Sequence, residues 1–105
     1  MMIDSSKYEV YAQYKIAVYV VDMLNVIGAT MHSDIVDNVN IQCGLHGSCV
    51  RAYIGNTEYT FNINNNTGII DIDFNGNAYY FDYDNDSDMI KLLNLITTIA
   101  VHEIA

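Results

Sequence analysis

Two dipeptides constrain this chain more than any other feature: Gly55-Asn56 and Asn75-Gly76, each flanked by alternating apolar and polar residues. Gly and Asn enter positive φ at little steric cost, so two-residue turns of this kind join antiparallel strands. Taking Gly55-Asn56 as the turn sets Val50 opposite Phe61, Ala52 opposite Tyr59 and Ile54 opposite Thr57. Taking Asn75-Gly76 as the turn sets Ile72 opposite Tyr79 and Ile70 opposite Phe81. Both apolar sets then fall on one face. A slip of one residue would turn them to water, so pattern and turn fix the same register. Residues 64–68 form the loop between the hairpins. The result is an antiparallel four-strand meander whose alternating runs are 49–54, 58–63, 70–74 and 79–84, the last with Tyr79, Phe81 and Tyr83 inward and Tyr80, Asp82 and Asp84 outward. Val39 and Ile41 alternate with Asn38, Asn40 and Gln42 and suggest a further strand upstream.

Helices flank the meander. Ser6-Lys7-Tyr8-Glu9 fits a capping box, in which the Ser6 hydroxyl and the Glu9 carboxylate each satisfy a backbone N–H. Tyr8, Ala12, Ile16, Tyr19, Val20, Met23 and Ile27 then recur at steps of three and four, and Gly28 is the expected stop. Residues 16–21 are rich in β-branched side chains and could be a strand, but length and the cap favour a helix. After the meander, Asp86 or Ser87 is placed to cap a second helix, with Asp88 in its first turn. Met89, Leu92, Leu93, Ile96, Ile99 and Ala100 make its apolar stripe, and His102 suits its C-terminal dipole. The expectation is a single α+β domain over residues 1–105: helix, four-strand meander, helix. Both helices pack on one sheet face and the other face is left open.

Charge narrows the function. Lys+Arg number 4 against 13 Asp+Glu, a formal charge of −9. Asn, Ile and Tyr, whose codons are AT-rich, are abundant; Lys, equally AT-rich, occurs only at 7, 15 and 91. Positive charge is being kept out. A direct nucleic-acid ligand is excluded for want of a basic footprint, and so is anchoring to an anionic membrane by a polybasic patch. The N-terminus lacks the basic-then-apolar order of a signal peptide, and no stretch offers about 20 apolar residues, so the cytosol is the expected compartment. The Asn65 and Asn85 sequons then read as turns.

The acids are concentrated. Asp71, Asp73, Asp82, Asp84, Asp86 and Asp88 lie within 18 residues that hold no Lys or Arg. Alternation places Asp71, Asp73, Asp82 and Asp84 on the outward face with Tyr80, and Asp86 and Asp88 at the helix entry. Like charges this close oppose folding, so a chain that tolerates them has a use for them. A row of carboxylates on a pleat offers a basic groove the charges it expects from phosphates. The plainer alternative is a solvated face that maintains solubility.

Metal and thiol chemistry are weaker readings. Asp71-x-Asp73-x-Asn75-Gly76 with Asp82 at position 12 matches an EF-hand loop, but the flanks alternate as strands rather than helices, and position 12 lacks the usual Glu. Cys43, His46 and Cys49 place three zinc-type ligands in seven residues, one short of a closed site. If Ile41 pairs with Val50, Cys43 does not face Cys49, so a disulfide is not expected either. No nucleophile–base pair or phosphate-binding loop is recognisable, and no catalytic residue, metal or cofactor is assigned. Tyr8, Tyr11, Tyr14 and Tyr19 crowd the first helix, and the three-residue steps of the first three spread them around it. Some must be exposed, which suits a partner or homodimer surface.

The segment from Ile70-Asp71-Ile72-Asp73-Phe74-Asn75-Gly76-Asn77-Ala78-Tyr79 through Asp84-Asn85-Asp86-Ser87-Asp88-Met89-Ile90 resembles the small acidic phage proteins that inhibit CRISPR effector nucleases. An alternating strand, an Asn-Gly-Asn turn, an aromatic strand and an acidic entry to an amphipathic helix occur in the same order. The resemblance covers about a third of the chain. It implies a non-enzymatic, phage-encoded inhibitor acting in the host cytosol. Such a protein would mimic DNA at the basic site of a CRISPR nuclease, with Asp71, Asp73, Tyr80, Asp82, Asp84, Asp86 and Asp88 as partner-binding residues. The alternatives are an immunity or antitoxin-like module for a basic toxin, and a homodimeric interaction protein.

Overall fold

The computed structural model describes residues 5–31 and 34–104, with side chains from residue 14 onward. Helix α1 (Ser5–Met31) leads into five strands: β1 (Val36–Cys43), β2 (Gly47–Ile54), β3 (Thr57–Asn64), β4 (Ile69–Phe74) and β5 (Asn77–Asp82). Helix α2 (Asp86–Ile104) closes the order. The sheet is an antiparallel meander in the order β1-β2-β3-β4-β5.

Both hairpins have the register that pattern and turn predict. Val50 pairs with Phe61, Ala52 with Tyr59 and Ile54 with Thr57. Ile72 pairs with Tyr79 and Ile70 with Phe81. Asn75 and Gly76 have φ of 53° and 80°, the left-handed pair of a type I′ turn. Gly55 alone takes positive φ in its turn, at 65°, as the first central residue of type II′ does.

The sheet has five strands rather than four. The fifth is β1, the further strand suggested by Val39 and Ile41; it begins earlier, at Val36, because a bulge between Asp37 and Asn40, with Asn38 at φ 51°, shifts its register. Val36 lies on the helix-covered side opposite Ile54, and Ile41 is on that same side opposite Val50, although at the sheet edge it stays 42% exposed. The apolar set therefore changes parity within one strand. Ile35 is buried next to this strand, and its carbonyl accepts the Gly55 N–H at 2.7 Å.

Both helices pack on one face of the sheet. Ile16, Ala17, Val20, Met23, Leu24 and Ile27 of α1 join Met89, Leu92, Ile96, Ile99 and Ala100 of α2 over Val50, Ile54, Phe61, Ile70, Ile72 and Phe81 in one core cluster. Two details of α1 differ from expectation. Tyr19 is 39% exposed, at the edge of the core stripe rather than in it. Gly28 does not end the helix: it is buried in mid-turn, and a Cβ there would lie 3.5 Å from Val36 Cβ. The helix runs on to Met31, with the Thr30 hydroxyl donating to the Val26 carbonyl at 2.8 Å. The side chains of the Ser6–Glu9 capping box and of Tyr8, Tyr11 and Ala12 lie outside the described residues, and the helix already includes Ser5, ahead of the expected cap. The stretch Tyr14–Met31, mean hydropathy 1.2, is long and apolar enough by composition to cross a membrane, and 39% of it is buried inside this fold.

The cap of α2 also shifts by one residue. Asn85, not Asp86 or Ser87, accepts the Asp88 N–H, at 3.1 Å, so Asn85 is the N-cap. At the other end, the His102 ring packs edge-on against Phe74 at 5.4 Å between centroids.

Candidate partner-binding surfaces

The open face of the sheet carries one unbroken cross-strand row: Gln42, Cys49, Asn62, Asp71 and Tyr80. Side chains on a pleat alternate, so every second residue of each strand joins this face. Asp71 accepts a hydrogen bond from Asn62 Nδ2 at 3.2 Å across the β3–β4 pair. Asp73, exposed, follows two residues on, about 7 Å along the strand. Tyr80, directly opposite Asp71, is 67% exposed. Asp82 ends β5 opposite Ile69.

The remaining acids go elsewhere. Asp84 is not on the outward face, because β5 stops at Asp82 and the chain turns there. That turn is held by the Asp84 N–H donating to Asp82 Oδ1 at 2.9 Å and the Asn85 N–H donating to the Asp82 carbonyl at 3.0 Å. Asp84 and Asp86 instead line a groove between α1 and α2 with Asp22. Asp88 is half-buried and structural: its Oδ2 accepts the Asp82 N–H at 2.9 Å, tying the helix entry to the sheet. Thus four of the seven sequence-identified residues, Asp71, Asp73, Tyr80 and Asp82, share the sheet face. Two reach the groove, and one holds the frame.

The groove was not read from the sequence. Its α1 wall is Tyr19, Asp22, Met23 and Val26, and its α2 wall is Asp86, Met89, Ile90 and Leu93. Both sets are spaced i, i+3, i+4, i+7, which marks a helix face but not that the two faces meet. Tyr83 closes one end of the groove: Tyr19 packs edge-on against its ring at 5.6 Å, and Lys15 Nζ stands 5.7 Å from its centroid.

The cysteines have no joint chemistry. Cys43 pairs with Ser48 and Cys49 with Gln42, so the strand alternation turns the two thiols to opposite faces of the sheet. Both are free, and the Cys49 thiol donates to Gln42 Oε1 at 3.6 Å. His46 Nδ1 is 3.2 Å from Asn66 Nδ2 in the neighbouring loop. Among the described residues, no group of three or more His, Cys, Asp or Glu side chains is arranged to hold a metal ion.

Another acid has a defined task. Glu103, near the end of α2, accepts the Tyr59 hydroxyl on Oε1 at 2.5 Å and the Thr57 hydroxyl on Oε2 at 3.1 Å. Burial, the Glu103 hydrogen bond and its negative charge together push the Tyr59 pKa up to about 12. No protein-family model, curated protein or solved structure matches this chain.

Proposed function

We propose that this protein is a non-enzymatic inhibitor that occupies the basic nucleic-acid site of a nuclease. The resemblance of its hairpin–helix segment favours a CRISPR effector as the target, met in the cytosol of a phage-infected host. The observation that carries the reading is the grouping of Asp71, Asp73 and Asp82 beside the exposed Tyr80, in a segment without Lys or Arg. These carboxylates sit on short side chains carried by strands, so little conformational freedom is lost when a cationic cleft closes on them. Tyr80 adds apolar area with a polar tip at the centre of the patch, a residue type favoured in interfaces. Asp84 and Asp86 continue the negative field around the end of the sheet and would steer a basic partner inward.

The test is inhibition of DNA cleavage by purified CRISPR effector nucleases with the wild-type chain and the triple variant Asp71→Asn, Asp73→Asn, Asp82→Asn. Asn keeps the oxygen acceptors that Asn62 and Asp84 use and removes three charges. Inhibition should weaken at least tenfold with an unchanged melting curve, and wild-type inhibition should fade as salt rises. Full inhibition by the folded triple variant would overturn the proposal.

A further inference from the structure

We infer that the groove between α1 and α2 docks a cationic amphipathic helix of a partner protein. This site shares only the steering acids Asp84 and Asp86 with the proposed inhibitory surface and would stand even if the sheet face proved inert. The cavity is about 730 Å³, and each wall presents two turns of one helix, about 10 Å of length. Two neighbouring helices with apolar seams toward a shared groove leave the seat a third helix fills in a bundle. Met23 and Met89, both nearly buried, are flexible, polarisable side chains that adapt to the shape of an inserted one. Val26 and Ile90 stand on opposite walls, 55% and 62% exposed. Such residues are ordinary when scattered singly, but here they form a continuous patch with Tyr19 and Leu93.

Charge selects the occupant. Asp22 of α1, Asp84 in the turn after β5 and Asp86 at the start of α2 all line this one groove. The chain's own Lys15 rests against Tyr83 at the groove's end, so that ring already takes one ammonium group. A second copy of the chain would bring a formal charge of −9 toward these carboxylates. The occupant that fits is therefore a partner's helix of two to three turns. Its Leu, Ile or Met anchors would be spaced i, i+3, i+4, i+7, with Lys or Arg on its flanks.

The probe is a fluorescein-labelled 15-residue Leu/Lys peptide with leucines at that spacing. A same-composition peptide with scrambled spacing and a Leu/Glu counterpart are the controls. Anisotropy should show the helical Leu/Lys peptide binding at least tenfold more tightly than the scrambled one, and the Leu/Glu peptide not binding. Amide shifts should cluster at residues 19–26 and 83–93. Val26→Ser and Ile90→Ser should each weaken binding at least fivefold, and Asp22→Asn with Asp86→Asn should weaken it and flatten its salt dependence. The sheet-face triple variant should bind the peptide as the wild type does, so loss of nuclease inhibition and loss of peptide binding are separate outcomes. Equal binding of the scrambled peptide, or shifts confined to the open sheet face, would overturn the inference. So would a solution dimer that Ile90→Ser dissociates, because a second copy would then own the groove.

Discussion

The two ends of α2 are fastened to the sheet by the same chemical group in opposite electrostatic settings. At the N-terminus, Asp88 accepts the Asp82 N–H, and its charge lies where the helix dipole welcomes an anion. At the C-terminus, Glu103 lies where the dipole opposes an anion, yet it holds the Tyr59 and Thr57 hydroxyls of β3. Charge-assisted hydrogen bonds are worth roughly 1.5–3 kcal/mol, against about 0.3–1 kcal/mol for a dipole contact at the surface. The hydrogen bonds therefore decide the placement of Glu103. A carboxylate in an acidic protein is not by default a surface charge: Asp88 and Glu103 serve the frame, and Asp71 and Asp73 face outward.

The largest expected effect breaks the Glu103 end. Gly55 has φ 65°, and a Cβ there would lie 2.8 Å from Glu103 Cβ. Gly55→Ala should cost about 2 kcal/mol or more, about half from left-handed backbone strain and the rest from pushing the end of α2 away. Thermal unfolding measures it. A loss under about 0.5 kcal/mol would show that the helix end yields freely and that the Glu103 clamp is slack.

High pH attacks the same end more gently. The folded Tyr59 pKa is raised above its unfolded value of about 10. Its stabilisation is therefore fully present below pH 10 and is lost as pH rises from about 10 to about 12. Solvent screening at the rim of the molecule limits the loss to on the order of 1–2 kcal/mol. Tyr59→Phe should remove this alkaline step and also cost about 1–2 kcal/mol at neutral pH. Denaturant melts across that range test it. An unchanged step in Tyr59→Phe would assign the effect to another tyrosine. The Asp88 clamp uses a backbone N–H, which does not titrate there, so the two ends should separate in this experiment.

What the sequence made legible follows from which signals are local. Two turns and a period of two settled four strands, the registers of the two hairpins and the face on which both helices pack. Alternation over residues 38–42 suggested β1 but not its start at Val36, because the bulge at Asn38 breaks the period there, so β1 fell outside the expected meander. Gly28 misled because a glycine inside a helix and one at its end look alike until the neighbour, Val36, is known. For the candidate site, alternation placed Asp71, Asp73, Tyr80 and Asp82 on the open face. It carried Asp84 along with them because nothing local announces that β5 stops at Asp82. The groove joins residues about 65 positions apart, and each wall alone reads as an ordinary helix face.

Asp88→Ala is the matching test at the N-terminal end. It leaves the half-buried Asp82 N–H without its acceptor and removes a first-turn anion, for an expected loss of about 1–2 kcal/mol. Asp88→Asn keeps an acceptor and should lose about half as much. Equal losses for the two would mean that charge, not the hydrogen bond, fastens this end, reversing the ranking argued for Glu103.

The smallest effect comes from the cap. Asn85→Ala should cost about 1 kcal/mol by orphaning the Asp88 N–H. Asn85→Asp is more informative, because Asp caps as well as Asn but adds a fifth carboxylate to Asp82, Asp84, Asp86 and Asp88. If the local field is already near what the fold tolerates, Asn85→Asp should lose a few tenths of a kcal/mol at low salt and recover as salt screens the repulsion. Stability equal to wild type at every salt concentration would show that the helix dipole absorbs the extra anion. The N-terminal end of α2 would then have electrostatic room that the C-terminal end, with its anion opposed by the dipole, lacks.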